Sequence, residues 1–81
     1  MIADELTVSR SLGSVLQDEI KQSGYYVSYM AEDLRLNRNT VYMKLHGKTP
    51  ITVDELNLFC EYLDADAGKL LNRAINKSKE G

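Results

Sequence analysis

Apolar residues recur along this chain at intervals of three and four, the period of a helix with one buried face. Val8, Leu12, Val15, Leu16 and Ile20 predict a first helix over 8–22, stopped by Gly24. Val27, Met30, Ala31 and Leu34 stand at i, i+3, i+4 and i+7 and predict a second over 27–34. Only Arg35 and Leu36 separate it from Asn37, whose side chain suits the N-cap of a third helix over 38–46. In that helix Thr40, Val41 and Leu45 are expected to face inward, and Gly47 ends it. Thr52 and Glu55 form a capping box before Leu56, Phe59, Cys60 and Leu63, which predicts a fourth helix over 53–63. Pro50 cannot extend the third helix and helps to separate the two. Asp66 caps a fifth over 67–77, carrying Leu70, Leu71, Ala74 and Ile75. The expected core is Leu12, Leu16, Ile20, Met30, Ala31, Leu34, Val41, Leu45, Leu56, Phe59 and Leu63.

This pattern fits a single all-α domain of 81 residues, ordered over 8–77, with 1–7 and 78–81 expected to be flexible. Hydrophobic residues make up 43% and charged residues 27%, the balance of a globular chain rather than a disordered one. No stretch is long and apolar enough for a membrane span, and the acidic start lacks the form of a signal peptide. Cys60 is the single cysteine, which rules out an internal disulfide or a multi-cysteine metal site. A cytoplasmic location is the default expectation.

The formal net charge is −2, which by itself argues against a nucleic-acid partner. Its distribution changes that picture. The stretch 35–53 holds Arg35, Arg38, Lys44, Lys48 and His46 without an acid, whereas acids outnumber bases on both sides of it. The segment reads either as a basic patch that meets phosphates or as an ordinary solvated face.

The order of features from Gly24 to Leu56 decides between them. The run comprises Gly24-Tyr25-Tyr26-Val27-Ser28-Tyr29-Met30-Ala31, Asp33-Leu34-Arg35-Leu36-Asn37-Arg38-Asn39-Thr40-Val41-Tyr42, Leu45-His46-Gly47-Lys48-Thr49-Pro50 and Asp54-Glu55-Leu56. It resembles the Cro/repressor-type (XRE-like) helix-turn-helix domains of phages and bacteria, over about three quarters of the chain. The resemblance implies a five-helix lambda-repressor-like helix-turn-helix domain, with 37–46 entering the major groove of double-stranded DNA. It also implies base contacts from Arg38, Asn39, Tyr42 and Met43, since Arg suits guanine and Asn suits adenine. Phosphate contacts would come from Val27, Ser28, Asn37, Lys44, His46, Lys48 and Thr49. Two places depart from the family pattern. Arg35 stands where the turn often has Gly, which suggests a remodelled turn. Ile20 and Leu45 stand where many members pair an Arg with a Glu, and an apolar pair can replace such a pair without loss.

The expected function is therefore that of a sequence-specific DNA-binding regulator, a repressor or Cro-like switch. The alternative is a protein-binding adaptor or antirepressor that keeps the fold without binding DNA. Tyr42 reads equally as a base contact and as a packing residue, and His46 either as a phosphate contact or as a helix-end residue. Tyr25, Tyr26 and Tyr29 read as packing residues rather than a stacking platform, with one of them able to lie against the DNA backbone. No nucleophile–base pair, Gly-rich phosphate loop or metal-ligand spacing appears, so no enzyme activity, small-molecule substrate, cofactor or metal is expected. A homodimer on a palindromic operator is expected to meet through Leu70, Leu71 and Ile75, unless helix 5 simply packs on helices 1 and 4 of its own chain.

Overall fold

The computed structural model of the chain describes residues 7–80. Most of the stretch expected to be flexible at the N-terminus, and Gly81 at the other end, lie outside the described residues. All regular structure among the described residues is helical: α1 (Thr7–Ser23), α2 (Val27–Asp33), α3 (Arg38–Leu45), α4 (Val53–Leu63) and α5 (Ala67–Glu80). None of these helices is long and apolar enough to cross a membrane. The boundaries follow the caps. Asn37 Oδ1 accepts from the amides of Asn39 and Thr40, which starts α3. Thr52 and Glu55 bond each other's main-chain amides, which starts α4. Asp66 Oδ1 accepts from the Lys69 amide at the start of α5. The last helix continues through Glu80, past the expected end at residue 77.

The first four helices end in one way. A residue in the left-handed region follows the C-cap or occupies it, and its amide and the next return to carbonyls of the last turn. These residues are Gly24, Arg35, Gly47 and Asp64. At Arg35, φ is 59°, and the Arg35 and Leu36 amides donate to the carbonyls of Glu32 and Ala31. The turn is therefore not remodelled to suit its non-glycine residue. It keeps the left-handed geometry, and Arg35 carries the steric cost.

α1 is the central element. It packs against α5, α3 and α4, while α2 rests on α3 and α4 on α5. The radius of gyration is 12.1 Å, that of a compact chain of this length. Phe59, Leu16, Met30, Val41 and Cys60 are the largest fully buried side chains. Every expected core residue is buried except Leu34, which is half-buried because it sits at the C-cap of α2. Val15, Cys60, Leu70 and Ala74 complete the core.

Three expectations about facing need correction. Val8 is exposed, since it lies in the first turn of α1, at the edge of the core. Thr40 is exposed as well, because Val41 and Leu45 form the inward stripe of α3 and Thr40 is rotated about 100° from Val41. Leu70 is only 3% exposed, since α5 packs on α1 and α4 of its own chain. It cannot also face a second copy; Leu71 is exposed and Ile75 half-buried.

A close approach fixes α3 against α1. A Cβ at Gly13 would lie 2.5 Å from the Leu45 carbonyl oxygen and 2.9 Å from that of Lys44. Both contacts are with backbone, so only glycine fits without moving a helix. Beside it, Gln17 Nε2 donates to the Leu45 carbonyl at 2.6 Å and Arg10 Nε to the Gly47 carbonyl at 3.4 Å. These side chains satisfy main-chain acceptors at the open C-terminal end of α3.

Candidate nucleic-acid interface

With Val41 and Leu45 turned into the core, α3 presents Asn39, Tyr42 and Met43 on its outward side and Arg38 at its N-terminal end to solvent. Helix geometry turns Asn39, Tyr42 and Met43 away from the Val41–Leu45 stripe, whereas Arg38, three residues before Val41, is exposed as the first residue of the helix. Among the described residues Arg38 and Lys48 enter no ion pair. Tyr42 stacks against His46 one turn later, with ring centroids 6.3 Å apart and planes 13° from parallel.

The surface around these residues is continuous. Tyr42 lines two adjoining depressions, one shared with Met43, His46 and Lys48, and the other with Lys21, Tyr26 and Ser28. Ser28 also lines a third depression with Arg38 and Glu32. The outward side of α3, the segment after it and the start of α2 therefore make one face. Val27 and Ser28 are half-buried at the start of α2, where Tyr26 is the N-cap and its side chain makes no capping bond. Tyr26 is 68% exposed and Tyr29 61%, and the two rings meet edge to face at 5.6 Å. Neither ring packs into the core; the two form an exposed aromatic margin of this face. Tyr25 is exposed too, with one side of its ring against Tyr62 at 5.1 Å.

The expected phosphate contacts divide. His46 and Lys48 are exposed on the face. Asn37 keeps its amide NH2 as a donor, but its oxygen is engaged in capping α3. Lys44 is a correction. Its Nζ lies 3.0 Å from Glu55 Oε2 and donates to the Pro50 carbonyl at 3.0 Å, and the side chain is only 14% exposed. Its charge is neutralised within the chain. Thr49 is a second correction, because its Oγ1 is covered by protein and has no hydrogen-bond partner among the described residues. Neither group presents itself to a phosphate in this conformation.

Glu55 is held by the same arrangement. Burial raises the pKa of its carboxyl, but the bonds from the Thr52 amide, Lys44 and the Thr52 hydroxyl outweigh this, and the net shift is downward. Behind the face, the Tyr62 hydroxyl donates to Asp33 Oδ2 at 2.6 Å, joining α4 to the end of α2. Sequence reasoning did not find Gly13, Gln17 or the Lys44–Glu55 pair. Compared with known protein families and with curated proteins, the chain matches none.

Proposed function

We propose that this chain is a sequence-specific double-stranded DNA-binding transcriptional regulator, a repressor or Cro-like protein of the phage or bacterial kind. In this reading its five helices form a lambda-repressor-like helix-turn-helix domain, with α2 and α3 as the motif and α3 in the major groove. The observation that carries the proposal is the outward side of α3. Asn39, Tyr42 and Met43 stand there, exposed, with Arg38 exposed at the start of the same helix, which Val41 and Leu45 anchor to the core. Arg38 and Asn39 supply the donor and acceptor groups that distinguish base pairs, and Tyr42 and Met43 supply apolar contact for thymine methyls or sugars. Lys48 and His46 lie where phosphates would flank them.

One α3 reaches only a few base pairs, so in this reading two copies bind a palindrome with half-sites about 10 base pairs apart. Selection of bound duplexes from a random pool tests the proposal. The expected result is a short palindromic consensus bound with steep salt dependence. A pool that stays random after repeated rounds overturns it.

A second reading has its own support. Lys44 is neutralised by Glu55, and Tyr26, Tyr29, Tyr42 and Met43 make the same face aromatic and apolar. Such a surface suits a protein partner, as in an adaptor or antirepressor. Retention on heparin that falls steeply with salt favours DNA, while failure to be retained at low salt favours the protein partner.

A further inference from the structure

Tyr42 is the largest side chain on the outward side of α3, and it is 39% exposed. It lines two adjoining depressions, so its ring stands between them. Among the described residues its hydroxyl makes no hydrogen bond, and its single aromatic partner is His46. The imidazole lies one turn further on, with centroids 6.3 Å apart and planes 13° from parallel, an offset stack. Side chains at i and i+4 are neighbours on a helix surface, which is what brings the two rings together. His46 is itself exposed, yet its main chain is fixed. Its amide donates to the Tyr42 carbonyl at 3.0 Å, and the Gly47 and Lys48 amides return to the carbonyls of Lys44 and Met43. Arg10 Nε holds the Gly47 carbonyl beyond it. An anchored residue thus sets a flat surface beside a ring that no hydrogen bond orients.

We infer that His46 is a positioning residue: it holds the Tyr42 ring in one rotamer on the outward side of α3, and through that ring it sharpens the choice of one base pair. The inference deepens the DNA-binding reading and rests on it for what Tyr42 touches, although the stacking is independent of it. A tyrosine free to turn between staggered rotamers spreads its contact over more than one place and loses that freedom on binding. A ring already held loses less, and its contact falls at one place. A phosphate contact makes a different demand of His46. It needs a ring nitrogen turned toward the DNA backbone, and it adds affinity for every sequence alike.

The test compares His46→Ala, His46→Phe, Tyr42→Ala and the double variant His46→Ala with Tyr42→Ala, all in the full chain. Without DNA, the Hα–Hβ couplings of Tyr42 report its χ1 angle. They are expected to show one rotamer in the wild type and in His46→Phe, and averaging in His46→Ala. On duplexes carrying the selected site and its single-base variants, His46→Ala is expected to lose discrimination about two- to tenfold at one base pair. Tyr42→Ala should lose it at the same base pair, the double variant should lose no more than Tyr42→Ala, and His46→Phe should keep it. Couplings already averaged in the wild type, or unchanged in His46→Ala, overturn the inference. So does a His46→Ala variant that keeps its discrimination and lowers the salt slope by about one, the behaviour of a phosphate contact. A chain that selects no duplex, although His46→Ala still frees the ring, supports the positioning and overturns the DNA reading.

Discussion

Lys44 on α3 and Glu55 on α4 form an ion pair at 3.0 Å that closes the loop between their helices. Lys44 also holds the Pro50 carbonyl, and Glu55 also bonds the Thr52 amide, so the two side chains fasten both ends of that loop. A cation is thereby withdrawn from the face to which α3 contributes.

Glu55→Gln is expected to release Lys44 and, under the DNA-binding reading, to raise the salt concentration at which the chain leaves heparin. The change costs about 0.5–1 kcal/mol of stability, since the pair is partly exposed. The pH dependence follows from the direction of the shift. Glu55 titrates lower in the folded chain than in the unfolded one, so its contribution is present above the unfolded value and is lost as pH falls through the folded one. Thermal melts from neutral pH into the acid range should show the wild type losing more stability than Glu55→Gln. Parallel losses would refute the assignment.

Gly13→Ala places a methyl against two backbone carbonyls of α3, which cannot move aside as a side chain could. The expected cost is about 1–3 kcal/mol, visible as a lower midpoint in urea. An unchanged midpoint would mean that α1 and α3 do not approach so closely.

Arg35→Gly removes a side chain from the left-handed region at φ 59°. Relief of that strain exceeds the added entropy of the unfolded chain, for a net gain of about 0.5–1 kcal/mol. Chemical denaturation measures the gain directly, and a loss of stability would show that the Arg35 side chain makes compensating contacts.

Under the DNA-binding reading, Arg38→Ala weakens binding to the selected site by about 1–3 kcal/mol and relaxes the preference at one base pair. Lys48→Ala weakens all sequences alike and lowers the salt slope by about one. Titrations of matched and scrambled duplexes at several salt concentrations distinguish the two effects. If Arg38→Ala lowers matched and scrambled affinity equally, Arg38 does not read bases.

The hydrogen bond from Tyr62 to Asp33 pushes the phenol up to about 12, with burial and the Asp33 charge adding to the effect. The neutral phenol is the form favoured by folding. Its contribution is therefore complete below the ordinary tyrosine value near 10 and is lost as pH rises toward about 12. Ultraviolet titration should show a tyrosine step near pH 12, and Tyr62→Phe should remove it.

The helices were legible because their signals are local. Asn37, the Thr52–Glu55 box and Asp66 mark starts within a few residues of themselves, and the spacing of Leu12, Leu16 and Ile20 or of Val41 and Leu45 records a buried side. What joins distant parts was not legible. Gly13 matters only because the end of α3 crosses it, Gln17 because Leu45 has an open carbonyl there, and Lys44 because the loop brings Glu55 beside it. No periodicity encodes such pairings. Leu70 and Leu71 illustrate the same limit: adjacent and alike in sequence, one is enclosed by α1 and α4 and the other is exposed.

The anchoring of α3 has a bearing on how such a chain changes over generations. The helix is held by Asn37 at one end, by Gln17 and Arg10 at the other, and by Val41 and Leu45 along one side. None of these is among the four exposed residues. Arg38, Asn39, Tyr42 and Met43 can therefore be exchanged with little effect on folding. Under the DNA-binding reading, selection can explore those four positions while the scaffold beneath stays the same, so a new partner preference need not pass through an unfolded intermediate variant.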